Sequence, residues 1–220
     1  MMIYYLFYPT NFILSILFSS SITAFFICKL NNKSFFNAKL YSHNYLINKI
    51  NTVAIVATNI IINYNIIYFT SSQFFLHEKI ETIDIRIIRN IQFIFLLEFI
   101  AYIYHRFSHE LVFLYKNKHS IHHKNIEVYP IDFLEFDIVD NIAQTLYINL
   151  PLLSVPMNHY DYAIIYYIYS TCAFIIHSDI LTDHHIIHHK YFKCNYSLML
   201  PVFDIIFGTY SSYIEDINSI

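Results

Sequence analysis

Three spaced histidine clusters constrain this chain more tightly than any other feature. Eleven of its thirteen histidines lie between His105 and His189. The first cluster is His105-Arg-Phe-Ser-His109 and the second is His119-Ser-Ile-His122-His123. The third is His185-Ile-Ile-His188-His189, with His184 just before it and His177 upstream. Imidazole is a neutral nitrogen ligand that suits iron, zinc and copper. Residues three and four apart share a helix face, so each cluster aims two or three ring nitrogens at one point. An exact His-x-x-His-His arises by chance roughly 0.05 times in a chain of this composition, and twice about once in a thousand such chains. Nine or so imidazoles exceed the needs of one tetrahedral metal and suit two metals with open positions. The fold must therefore carry distant segments to a common place.

The second constraint is apolar. The chain is 56% hydrophobic and 13% charged, against ~25% charged in a typical soluble domain. Five runs approach the ~20 apolar residues that span a bilayer. They are Asn11 to Leu30, Thr52 to Thr70, Ile87 to Tyr104, Ile142 to Met157 and Tyr160 to His177. The last two are joined by the turn Asn158-His159-Tyr160. This pattern predicts an all-α integral membrane bundle of four or five spans under a histidine-rich helical cap. Residues 1–94 form the spanning region and residues 95–220 the histidine-bearing part. The first run lacks a basic segment before it and reads as an anchor rather than a cleaved signal peptide. If the spans alternate, Lys29, Lys33, Lys39, Lys49, Arg106, Lys116, Lys118, Lys124, Lys190 and Lys193 share one side. Positive charge marks the cytosolic side, and all three clusters fall on it. A net charge of −3 gives no footprint for nucleic acid. Cys28, Cys172 and Cys194 are odd in number and lack ligand spacing, as expected of free thiols in a reducing setting.

Carboxylates complete the chemistry. Glu98, Tyr102, His105 and His109 are spaced i, i+4, i+7 and i+11 and share a helical face. A carboxylate inside a span is costly and points to function. Ligating histidines usually donate their second N–H to a carboxylate or a carbonyl. Glu98 lies about 10 Å below His105 on the same helix, so it is expected to orient a histidine from another segment. Glu127, Asp132, Glu135, Asp137 and Asp140, between the second and third clusters, offer further carboxylates. Arg106 is placed to pair with a carboxylate or to reach lipid headgroups.

The run Glu98-Phe-Ile-Ala-Tyr102-Ile-Tyr-His105-Arg106, then His109, then His119-x-x-His122-His123-Lys124 resembles the sterol desaturase/fatty acid hydroxylase superfamily, most of all its sterol C5-desaturase branch. The stretch from His185 through His188-His189-Lys-Tyr191-Phe192 to Asn195-Tyr196 resembles the same superfamily, as do Asp204 and Phe207-Gly208-Thr209. The resemblance covers about residues 95 to 213. It implies a membrane oxygenase with two iron ions, zinc being an alternative occupant. Such enzymes use O2 and two electrons, usually from cytochrome b5, to desaturate or hydroxylate a lipid on the cytosolic face of the endoplasmic reticulum. Carried over by position, the implied ligands are His105, His109, His119, His122, His123, His177, His185, His188 and His189, with His184 able to replace one. Glu98, Tyr102 and Asp137 are the implied catalytic side chains. Asp137 stands where the family carries a histidine, Ser197 stands where it carries a glycine, and the family's glycine near Glu98 is missing. Two rival classes fit the same boxes. One is a zinc-dependent membrane hydrolase; the other is a structural membrane protein stapled by metal.

Overall fold

The computed structural model describes residues 2–36 and 82–212, and among them every regular element is helical. Seven α-helices follow in order: α1 (Met2–Leu30), α2 (Ile83–Glu110), α3 (Val112–Asn117), α4 (Ile138–Asn149), α5 (His159–Ile175), α6 (His184–Tyr191) and α7 (Val202–Ile206). Short 3-10 turns cover His119–Lys124, Pro130–Leu134 and Leu150–Leu153.

Side-chain contacts fix the directions of the long helices. Arg86, in the first turn of α2, clasps Asp161 in the first turn of α5 through two contacts of 2.6 and 3.1 Å. These two helices therefore start at the same end and run in parallel. Helix α1 lies along α5 in the same sense. Ser20 donates to the Tyr167 carbonyl (3.2 Å), Thr23 meets the Tyr167 hydroxyl (2.6 Å), and beyond the helix ends Lys33 pairs with Asp179 (2.6 Å). Helix α4 runs the other way. Its first turn meets α2 where the Tyr104 hydroxyl donates to Asp140, and its last residue, Asn149, accepts from Tyr162 (3.0 Å). The C-terminal ends of α1, α2 and α5 thus converge, and every histidine cluster lies at that end.

Packing follows from residue size. On α1 the residues Ser20, Ala24 and Cys28 are four apart and fully buried. Small side chains in that register let two helix backbones approach closely, here α1 and α5. On α2 the buried Phe93, Leu97 and Ala101 pack with Tyr147, Leu152, Met157, Tyr162, Ile165 and Tyr169 from α4, α5 and the turn between them. The opposite face of α2 carries the exposed Ile87, Ile88, Ile91 and Phe95.

Among the described residues one helix, Ile83–Glu110, is long and apolar enough to cross a membrane, and Ser15–Leu30 forms a shorter apolar stretch. Four or five spans are therefore not what these residues display. The run from Ile142 to Met157 is broken. Pro151 has no N–H to continue a helix, and α4 gives way to the 3-10 turn at Leu150–Leu153. The 12 residues of α4 extend about 18 Å, short of a bilayer core of ~30 Å. The expected span from Thr52 to Thr70 lies outside the described residues.

Candidate metal centre

The nine histidines carried over from the boxes gather into two groups. One holds His105, His109, His119, His123 and His188; the other holds His122, His177, His185 and His189. Within each group one ligand atom per residue lies within 4.8 Å of all the others. A box does not feed a single point. In the second box His119 and His123 serve one group while His122, between them, serves the other. In the third box His185 and His189 serve the second group and His188 the first. Within each box the i and i+4 rings turn to one group and the i+3 ring between them turns to the other. Two His-x-x-His-His boxes meeting face to face therefore stitch the groups together. His123 and His189 stand 4.3 Å apart, ring centre to ring centre, across that seam.

Backbone and carboxylate acceptors fix how the rings present their nitrogens. His105 Nδ1 donates to the Tyr196 carbonyl (2.7 Å), His188 Nδ1 to Cys194 (2.7 Å), His177 Nδ1 to Ala173 (2.8 Å) and His122 Nδ1 to Glu135 (3.3 Å). His119 Nδ1 meets the Asp140 carboxylate at 2.9 Å. A proton held at Nδ1 leaves the lone pair on Nε2, where a metal can take it. The Nε2 atoms of His109, His119 and His188 then stand 3.0, 3.1 and 3.2 Å from Nε2 of His123. With Nδ1 protonated, His119 and His188 each turn an Nε2 lone pair to this point, and one proton on His123 could satisfy only one of them, whereas a cation would satisfy all. Nitrogens bound at ~2.1 Å to one metal, with ligand angles near 90°, would be about 3.0 Å apart. Among the described residues several buried nitrogens have no other partner: Nε2 of His105 and His177, and both nitrogens of His185. Unmet buried polar atoms need an explanation, and a coordinated cation would supply one here.

The groups are also in the right protonation state. Burial, followed by repulsion from neighbouring imidazoles, pushes His122, His123, His185, His188 and His189 well below the usual imidazole range. Burial lowers His177 to about 4. Neutral imidazole is the form that binds metal.

Four side chains singled out in the sequence have their contacts outside the two groups. His184 has no lone pair to offer. Its Nε2 donates to the Ser197 and Leu198 carbonyls (3.2 Å each), and its Nδ1 accepts from Thr182. Asp137 caps α4 by accepting from the Val139 amide (2.9 Å) and pairs with Lys118 (3.2 Å), so it touches neither group. The carboxylate beside a histidine is Asp140, one helical turn later. Burial works against its charge, but the hydrogen bonds from His119 and Tyr104 outweigh it and hold this acid below the usual carboxylate range. Glu98 meets none of the described histidines; it accepts from the Met199 and Leu200 amides (3.1 and 3.5 Å). Tyr102 meets Thr209 (3.0 Å) and Arg106 (3.1 Å) and stacks on Phe207. Arg106 also pairs with Glu110 (2.7 Å).

The segment after α6 acts as a brace. Asn195, at φ 58°, donates to the His184 and Ser211 carbonyls (3.0 and 2.8 Å) and accepts from the Ser211 amide (2.8 Å). Fully buried Asp204 accepts from the Tyr196 and Ser197 amides (2.7 and 2.8 Å). These contacts set the carbonyls of Cys194 and Tyr196 against His188 and His105. A cavity of about 110 Å³ opens beneath the groups, between α2, α4 and α5. His105, His119, His122, His177 and His185 reach it from above, and Tyr147, Tyr169 and Ile148 are among the residues lower on its wall.

Comparison with known proteins gives the family of this stretch of chain. Residues 91–209 match the family described as fatty acid hydroxylase. Among curated proteins the chain is similar to Protein CER1-like 1 of Arabidopsis thaliana, 27% identical over 139 residues, covering 51% of this chain and 22% of that protein. It is similar to the very-long-chain aldehyde decarbonylase CER1 of the same plant, again 27% over 139 residues with the same coverage. It is also similar to the very-long-chain aldehyde decarbonylase GL1-5 of Oryza sativa subsp. indica, 28% over 136 residues, covering 51% and 22%. The chain spans about a fifth of the length of these relatives. No solved structure matches it. None of the three names mentions a sterol, so the comparisons support the superfamily without its sterol branch. With over half its length matched, and all nine grouped histidines inside the match, the chain belongs to the fatty acid hydroxylase family.

Proposed function

We propose that this chain is a membrane-bound, O2-dependent di-iron oxidoreductase acting on a long aliphatic lipid. The reading rests chiefly on two groups of neutral, buried imidazoles standing over one cavity. Five donors in one group exceed the four of a closed tetrahedral zinc site, which favours iron over zinc and oxidation over hydrolysis. With two irons, O2 and electrons from an external donor such as cytochrome b5, the site would supply the oxidising power to attack an unactivated C–H bond.

The chain's own residues do the rest. Asp140 and the carbonyls of residues 135, 173, 194 and 196 hold five rings at fixed angles. The helices exclude water from the histidines, and the cavity orients a substrate chain beneath them. The relatives named for aldehyde chemistry support an aliphatic substrate. Sterol C5-desaturation is the second reading, favoured by the run from Glu98 to Arg106. The histidine end is assigned to the cytosol on the lysine and arginine bias, and the membrane to the endoplasmic reticulum on the family resemblance alone.

The test is to express the chain with a reductase and cytochrome b5 in cells lacking sterol C5-desaturase, then profile aldehydes, acyl chains and sterols by mass spectrometry. A changed aliphatic profile that reverts with His122→Ala is expected. A restored sterol 5,6-double bond would favour the second reading. No change in any lipid class, with iron fully loaded, would overturn both.

A further inference from the structure

Glu98 is the one charged residue between Arg89 and Arg106. That stretch of α2 is about 24 Å long at 1.5 Å per residue, and Glu98 sits near its middle. Both of its backbone contacts come from a non-helical segment, at Met199 and Leu200. The same segment continues into α7, which leans on the same part of α2. Phe203 packs on Phe95 and Phe99, with ring centres 5.1 and 5.3 Å apart, and Phe207 stacks on Tyr102 at 5.3 Å. The inner face of α7 is closed, with Phe203 and Asp204 buried. Its outer face is apolar and open: Leu200, Ile205 and Ile206 are each about 60% exposed, beside Val202 and Phe207. This face continues the exposed apolar face of α2 at Ile91, Ile94 and Phe95.

From this geometry we infer that residues 198–207 form a re-entrant segment seated among lipid acyl chains, with Glu98 as its anchor. Non-helical backbone survives at membrane depth only where its amides find partners inside the protein. The Met199 and Leu200 amides find theirs in a carboxylate that would otherwise be an unexplained cost within a span. Glu98 is thus a positioning residue for the segment. The occupant of the outer face is lipid because that face is continuous with the lipid-facing side of α2, the one helix among the described residues long enough to span. Leu198 lines the cavity and Leu200 faces outward two residues later, so acyl chains come within one short turn of the substrate space. The inference rests on α2 crossing the membrane and not on the iron chemistry.

The chain contains no tryptophan, so a single introduced indole reports on one place. The full chain would be reconstituted in vesicles containing phospholipids brominated along their acyl chains. Ile205→Trp, Ile91→Trp and Lys116→Trp would be compared, with excitation chosen to bypass tyrosine. Ile205→Trp is expected to emit to the blue and to be quenched as strongly as Ile91→Trp, with Lys116→Trp quenched several-fold less. Quenching at Ile91 but not at Ile205 would overturn the inference, whether the Ile205 emission is red (water) or blue (another protein segment or a second copy). Loss of quenching at both positions would remove the span reading as well. In the Ile205→Trp background, Glu98→Gln keeps an acceptor and should retain quenching, whereas Glu98→Leu should reduce it with unchanged metal content. Equal quenching in both variants would overturn the anchoring role.

Discussion

Single side chains near the histidines divide into those that aim a ring and those that hold the backbone. Asp140 aims His119, and Asp137, three residues earlier, starts a helix. Removing an aiming carboxylate typically costs 10–100-fold in metal affinity. Asp140→Ala should therefore weaken metal binding by that factor in a competition titration. Asp137→Ala should leave affinity unchanged and cost about 1 kcal/mol of stability through the lost cap. Equal affinity losses would contradict this division. Eight of the nine grouped histidines stand out in the sequence because they recur at helical spacing, whereas His177 stands alone and enters only through the family resemblance. The division of labour between Asp137 and Asp140 could not. It depends on where α4 begins against the second box, an angle set by packing. Glu98 misled for a similar reason, since its partners are amides a hundred residues away. His184 differs from His185 only in facing the Ser197 and Leu198 carbonyls.

Helices set the next level of organisation. Docking of α1 on α5 depends on Ser20, Ala24 and Cys28 being small. Ala24→Leu would push a branched side chain into a fully buried position, and overpacking of this kind costs ~1–3 kcal/mol. Thermal unfolding in detergent should register that loss, while Ile22→Leu, on an exposed position of the same helix, should not. An unchanged midpoint for Ala24→Leu would mean that α1 is not seated as described. The turn after α7 places Gly208 at φ 68° with nothing within 4 Å of an added Cβ. Gly208→Ala should thus cost about 1 kcal/mol through backbone strain alone. The apolar run Ile87 to Tyr104 marked α2, but the helix extends four residues before it and six beyond it. The fourth expected run is not one continuous helix, because hydropathy counts apolar residues and does not register the interruption at Pro151.

For the whole molecule the consequence is polarity. Helices α1, α2 and α5 all deliver their C-terminal ends to the histidine end, and Lys33 meets Asp179 there. The Arg86–Asp161 pair marks the opposite end. Cysteines introduced at Lys33 and Lys116 should react with a membrane-impermeant maleimide from one side of a sealed vesicle. A cysteine at Tyr160, which is 72% exposed, should react from the other side. Labelling of all three from one side would contradict the bundle's direction. That the boxes share one end was foreseeable from the lysine and arginine bias. Their interleaving, with each His-x-x-His-His feeding both groups, was not, because it arises only when two boxes meet in three dimensions.

The most direct measurement is the iron content of the anaerobically prepared full chain and of two histidine variants. Two irons per chain are predicted for the unaltered protein. His185→Ala should hold about one, because that residue serves only the four-histidine group, and His184→Ala should still hold two. One iron or none in the unaltered chain, or equal losses in the two variants, would contradict a two-metal centre built from these nine histidines.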